Sequence, residues 1–277
     1  MQFAPRLGDV SENLDRHLRF IEIAKRKKSG LVVFPELSLT GYTLMDLVPE
    51  VAIDPARSQV LERLKSASRG IDIVLGFMME KTRGIYHNTA AYLSRGEIVH
   101  LHRKVFLPTG GMFEEAKFFA KGRRFAAFDT RFGRAGIMVC RDFLSLASNY
   151  LLFADGAEFI IVISAAPGRG ISEEPGFAST RMWRLMGEAV SNFCTAFVIY
   201  CNRVGFEDGK AFGGGSFVFS PAGRPLYQAS EIEEETAFID LDPGEIRAAR
   251  TRWTFKREDE PEAILRSLAR IVRDHED

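Results

Sequence analysis

The chain has 277 residues, 37 of them basic and 37 acidic, so its formal net charge is zero and neither nucleic acid nor an anionic membrane is expected as its main partner. Hydrophobic residues at 46% suffice for a sizeable core, yet the longest apolar run, FIIVISAA (159–166), is too short to cross a bilayer. MQFAPRLGDV lacks the pattern of a signal peptide, and three cysteines without framework spacing suit a reducing compartment, so a cytoplasmic protein is expected.

Asp9 to Lys28 reads as an amphipathic helix with Leu14, Leu18 and Ile21 on one face. Asp9 and Glu12 resemble a capping box at its start, and the basic run AKRKK (24–28) suits its C-terminal dipole. LVVFPE (31–36) is a short buried strand stopped by Pro35 and Glu36. Residues 56–68 suggest a helix through Val60, Leu61 and Leu64, and IDIVLGFM (71–78) another buried strand. Next, IYHNTAAYLSRGEIVHLHRK (85–104) gives two strands joined by the turn SRGE.

After a glycine-bearing loop at 109–111 come the strands FAAFD (125–129) and AGIMVC (135–140), then a helix over 144–155. FIIVIS (159–164) is a strand, followed by a longer helix from about 175 to 193 and the strand AFVIYC (196–201). The glycine-rich FGGGSFVFSPAGRPLY (212–227) holds a hairpin turn at SPAGR but lacks a phosphate-binding glycine order. EIEEE (231–235) reads as a solvated loop, TAFIDLD (236–242) as a last strand, and 261–273 as a polar helix. No linker, repeat or low-complexity stretch divides the alternation, so one mixed α/β domain over 1–277 is expected.

Glu36, Lys104 and Cys140 stand at strand ends, where open α/β sheets place their sites. Each also has a plainer reading: a helix cap, a solvated strand edge and core filler. Cys194 and Cys201 fall in apolar surroundings and read as core. His100 and His102 alternate on one strand face, but without a third ligand at a sensible spacing no metal site is expected.

The surroundings of those three residues carry more. VVFPELSLTGY (32–42), HRKVFLPTGGMFEEAKFF (102–119) and GIMVCRDF (136–143) together resemble the signature segments of the nitrilase superfamily of carbon–nitrogen hydrolases. QFAPRLGDVSENL, YHNTAAYLSRGEIV, YCNRVG and FGGGSFVFSPAGRPL extend the resemblance, in order, over nearly the whole chain. It is strongest to the glutamine-hydrolysing domain of glutamine-dependent NAD synthetases, where FEEAKFF has a near counterpart.

The resemblance implies a four-layer αββα sandwich. It implies Glu36 as general base, Lys104 as electrophilic lysine, Cys140 as nucleophile and Glu115 as an additional glutamate, with Glu114 as the neighbouring alternative. Phe113 would line the pocket, and Arg141 or Arg169 would hold a substrate carboxylate. The implied reaction hydrolyses a small, glutamine-like primary amide to acid and ammonia through a thioester, with no metal or organic cofactor. The alternatives are N-carbamoyl cleavage, nitrile hydrolysis, and a non-catalytic or ammonia-supplying subunit of a partner synthetase. A homodimer or higher homo-oligomer is implied too, through the helices near 144–155 and 175–193 with Leu146, Tyr150, Trp183 and Met186.

Three features depart from the family pattern. Met1 directly precedes QFAP, so the first strand looks truncated: the start is short, or initiation lies upstream. Arg141 stands where glutamate or tyrosine is common, and Phe143 where tryptophan or arginine is common, which leaves the substrate open.

The chemistry stands without the family name. An amide carbonyl is a poor electrophile, and thiolate attack splits its hydrolysis into two easier steps. A carboxylate takes the thiol proton, while a lysine and a backbone N–H meet the tetrahedral oxyanion.

Overall fold

The computed structural model describes residues 1–170 and 176–274. Helix α1 (Val10–Arg26) begins where the Asp9 side chain accepts a hydrogen bond from the Glu12 N–H, and it buries Leu14, His17, Ile21 and Ala24. β1 (Leu31–Val33) follows, then the short α2 (Val48–Val51) and α3 (Gln59–Ala67), the latter capped by Ser58. β2 (Asp72–Thr82), β3 (Ile85–Ser94) and β4 (Glu97–Arg103) form an antiparallel meander, and β1 joins β2 in parallel.

Side chains alternate across this sheet with period two. Ile73, Leu75, Phe77, Ala91 and Leu93 pack with α1 and α3, while Val74, Ala90 and Tyr92 face the second sheet.

α4 (Glu115–Phe118) leads into β5 (Ala127–Thr130) and β6 (Gly133–Val139). α5 (Leu146–Ala154) carries the chain to β7 (Phe159–Ser164), and α6 (Ala178–Phe193) carries it to β8 (Phe197–Asn202). β6, β7 and β8 are parallel, as strands joined through helices must be. β7 is apolar up to its last residue, Ser164, because both its faces are covered. β9 (Val204–Glu207) and β10 (Lys210–Gly213) form a separate hairpin. β11 (Phe217–Phe219) and β12 (Pro225–Gln228) complete a sheet of order β12-β11-β8-β7-β6-β5, and α7 (Gly244–Arg252) and α8 (Pro261–Asp274) follow. The two sheets face each other, with α1 and α3 outside one and α6 outside the other: an αββα sandwich.

Several expectations need correction. TAFIDLD is not a strand; the only pairing near it is the bridge between Gln2 and Glu235 among the described residues. Beyond that bridge the chain borders a cavity of about 370 Å³ lined by Leu31, Val33, Phe238 and Ile239, so no neighbouring strand lies there to form a ladder. EIEEE is more than a solvated loop, because Glu231 accepts from the Phe177 N–H, Glu234 pairs with Arg16, and Glu235 accepts from Tyr227. The β9–β10 hairpin and α7 were not expected at all. α8 is amphipathic rather than polar, with Leu265, Leu268 and Val272 exposed along it. Trp183 is buried and stacked on Tyr200, so it offers no surface. Pro175, the expected start of α6, lies outside the described residues.

Candidate active site

Pro35 ends β1, and Leu37, at φ +48°, turns the chain back, which drives the Glu36 side chain inward to full burial. β2 crosses directly beneath this turn. A Cβ on Gly76 would stand 2.4 Å from the Leu37 nitrogen and 2.8 Å from the Pro35 oxygen, so glycine is what permits the approach. Glu36 Oε1 accepts from Asn88 Nδ2 at 2.7 Å and from Lys104 Nζ at 2.8 Å, and Oε2 accepts from the Ala165 N–H at 2.6 Å.

Lys104 follows β4 immediately, and its N–H donates to the Asn88 carbonyl at 2.9 Å, so strand register fixes it beside Asn88. Its Nζ also donates to Glu115 Oε1 at 2.7 Å. Glu115 is brought in by the first turn of α4, whereas Glu114 is exposed; of the two neighbours it is Glu115 that meets the lysine. Tyr42 Oη donates to the same Glu115 oxygen at 2.5 Å.

These contacts set the charges. Burial would lower the Lys104 ammonium, but the charges of Glu115 and Glu36 outweigh it and hold the group protonated, well above its ordinary range. Burial, joined by the charge of Glu36, pushes Glu115 up to about 7 against the opposing pull of Lys104 and Tyr42.

Cys140 ends β6 at φ +45°, a left-handed backbone that costs a residue with a Cβ ~1–3 kcal/mol unless its surroundings impose it. Such strained turns project a side chain out of the sheet. Burial first, then the charge of Glu36, pushes the Cys140 thiol up to about 12, with Lys104 and a hydrogen bond to Ser164 pulling the other way. The resting sulfur is therefore a neutral thiol beside a carboxylate and an ammonium.

Phe113 is half-buried and meets Tyr42 edge-on at 6.4 Å, and the exposed Arg169 lies over the Phe113 ring, 5.0 Å from its centre. Arg141 is exposed as well, and no ion pair to it is present among the described residues. Asp142, next to it in the chain, is bonded to His102 at 2.8 Å. His100 stacks on Phe128 at 4.2 Å, and no group of three metal-capable side chains occurs among the described residues. A small cavity of about 40 Å³ beside the cluster is lined by Tyr42, Thr43, Glu115 and Lys210. The 370 Å³ cavity lies elsewhere, between the sheets beside β1, away from these groups.

Sequence reasoning missed Tyr42, Asn88, Ser164 and Asp142 as parts of this cluster. A signal existed for Asn88, which lies in YHNTAAYLSRGEIV, a segment that already carried the resemblance. Tyr42 closes the segment FPELSLTGY that already contained Glu36.

A carbon-nitrogen hydrolase family model matches residues 1–251. The glutamine-dependent NAD(+) synthetase of Acinetobacter baylyi is 27% identical over 87% of this chain and 43% of its own length. The chain thus spans less than half of that relative. The (R)-stereoselective amidase of a Pseudomonas species is 30% identical, over 92% of this chain and 88% of its own. Among solved structures, the carbon-nitrogen hydrolase of Helicobacter pylori G27 superposes with a TM-score of 0.83 at 24% identity, covering 95% of this chain and 94% of that one. No described helix is long and apolar enough to cross a membrane. With the family model running from the first residue almost to α8, through the turn of Glu36, the end of β4 and the strained end of β6, the chain belongs to the carbon-nitrogen hydrolase family.

Proposed function

We propose that this single hydrolase domain, spanning 1–277, cleaves a small primary amide through a thioester on Cys140. The observation that carries the reading is the buried set of Glu36, Lys104 and Glu115 gathered about a protonated thiol. Glu36 takes the thiol proton as sulfur attacks the carbonyl carbon. The negative oxygen of the tetrahedral intermediate is met by Lys104 Nζ and the Arg141 N–H. Glu36 returns its proton to the nitrogen, the C–N bond breaks, and ammonia leaves. Water, deprotonated by Glu36, then cleaves the thioester, releasing the carboxylic acid and restoring the thiol. Glu115 and Tyr42 hold Lys104 in place throughout. Thiol, carboxylate, ammonium and the attacking water together supply every proton and charge the two steps need.

The amidase relative, matched over most of both chains, favours an amide substrate. The synthetase relatives favour a glutamine-like acyl group and, as a second reading, ammonia delivery to a separate synthetase. For a carboxylate-bearing substrate Arg169 is the better-placed anchor, because it joins the cluster through Phe113 and Tyr42, whereas Arg141 points to solvent. An ammonia-release screen over amides, carbamoyl compounds and nitriles tests this, with mass spectrometry for the Cys140 thioester. Primary amides should turn over, and Arg169→Ala should cost a carboxylate-bearing amide about 10-fold or more relative to its neutral analogue. Carbon dioxide released in step with ammonia would move the reaction to carbamoyl cleavage, and indifference of Arg169→Ala and Arg141→Ala to substrate charge would remove the anchor.

A second copy of the chain is the proposed partner for the outer helices. Leu146, Met182, Leu185 and Phe193 on α5 and α6 are exposed by more than half, and α8 offers a further apolar face. Light scattering at micromolar concentration should report twice the 31.1 kDa chain mass or more. A lone monomer there would refute self-association.

A further inference from the structure

Two buried side chains that the proposed chemistry leaves unused lie between its parts. Asp142 follows Cys140 by two residues, and His102 precedes Lys104 by two. Both are buried, and His102 Nε2 donates to Asp142 Oδ2 at 2.8 Å. The same Oδ2 accepts from the Val139 N–H at 3.3 Å, the residue just before Cys140. Oδ1 accepts from the N–H groups of Val105 at 3.1 Å and Phe106 at 2.9 Å, the two residues just after Lys104. One carboxylate therefore grips the backbone on the near side of the thiol and the backbone on the far side of the lysine, and a ring from the lysine's own strand orients it.

The geometry matters because Cys140 and Lys104 come from different sheets. β6 belongs to one sheet and β4 to the other, and no backbone ladder joins the two. Among the described residues the Asp142 carboxylate is the group hydrogen-bonded to both segments. Misplacement by about 1 Å can cost an active site ~10²-fold in rate.

We propose that Asp142, oriented by His102, is a positioning residue that holds the Cys140 turn and the Lys104 segment in mutual register. The assignment deepens the amide-hydrolase reading and rests on it for its link to turnover, so its test has a substrate-free arm. Asp142→Asn keeps the shape but turns an N–H donor toward the Val139 N–H, breaking the grip at one end. His102→Gln keeps a donor for Asp142, whereas His102→Leu removes it.

In the substrate-free arm, iodoacetamide labelling of Cys140 is followed by mass spectrometry, with the buried Cys194 and Cys201 as internal reporters of unfolding. Asp142→Asn and His102→Leu should slow Cys140 labelling about tenfold while Cys194 and Cys201 stay protected, and His102→Gln should restore most of the rate. In the turnover arm, the same two variants should lose about 10²-fold in kcat per folded molecule with KM little changed. Wild-type labelling of Cys140 in both variants would overturn the proposal, as would loss of protection at all three cysteines together, which marks a merely structural role. If no amide is turned over by the parent protein, the amide reading fails while the labelling arm still decides on Asp142.

Discussion

Cys140→Ala is expected to abolish ammonia release, by about 10⁴-fold or more, while the protein melts within a few degrees of its parent. No other thiol is expected to substitute, because Cys201 Sγ donates to the Met1 and Val33 carbonyls and Cys194 packs in the core, neither against Glu36 and Lys104. The substitution removes one sulfur from a site 5% exposed, which is worth about 1 kcal/mol of packing. It leaves the backbone strain in place, since alanine at φ +45° also carries a Cβ. It also carries no electrostatic cost near pH 7. Burial pushes the folded thiol up to about 12, and an unfolded thiol titrates at about 8.5, so the group is protonated in both states. Its raised value bears on stability only as pH climbs beyond that unfolded value. Cys194→Ala and Cys201→Ala should keep full turnover at a similar packing cost. Ammonia assays beside thermal melts check all three, and undiminished turnover by Cys140→Ala would sink the nucleophile assignment.

Of the residues proposed for the chemistry, Glu36 and Cys140 each follow an apolar run at a strand end, whereas Lys104 follows the largely polar HLHR and was marked by the resemblance of its segment. Order along the chain then placed them at neighbouring strand ends of a layered fold. Asn88, His102 and Asp142 were not legible as members, because their roles are contacts across the sheets. Asn88 meets Glu36 from 52 residues away, and His102 meets Asp142 from 40. Residue type announces a buried polar group, but partnership depends on register. The β9–β10 hairpin left a clearer trace, since Asp208 and Gly209 both adopt the positive φ that an Asp-Gly hairpin turn requires. It was passed over because its strands are only four residues each. TAFIDLD failed in the opposite direction. Alternation specifies an extended chain, but a strand exists only where a neighbour offers donors and acceptors, and here a cavity lies beside it.

Glu36→Gln and Lys104→Met are each expected to cost orders of magnitude in kcat, and pH should tell them apart. Glu36→Gln removes the proton acceptor from a thiol held near 12, a loss of about 10²–10⁴-fold. Residual activity must then come from rare thiolate and should climb about tenfold per pH unit, where the parent profile is flatter. The fold should tolerate this change, because Lys104 keeps Glu115 as its partner. Lys104→Met removes the charge that meets the oxyanion, a loss of about 10²–10³-fold. It also strands two buried carboxylates, and breaking a buried pair from one side typically costs ~3–5 kcal/mol. With the lysine gone, Glu115 can relieve part of that cost by binding a proton. Glu115, already raised to about 7 with the lysine present, moves higher still. A raised folded value contributes stability at low pH and loses it as pH rises through that value. The melting temperature of Lys104→Met should therefore fall between pH 5 and pH 8, and fall more steeply than that of Glu36→Gln, which keeps the lysine and loses the like charge that helps to raise Glu115. The double variant should be no slower than the worse single one if base and lysine act as a unit. A Lys104→Met enzyme with normal kcat and a raised KM would remove the oxyanion assignment, and a pH-independent melt would show that Glu115 does not depend on that lysine.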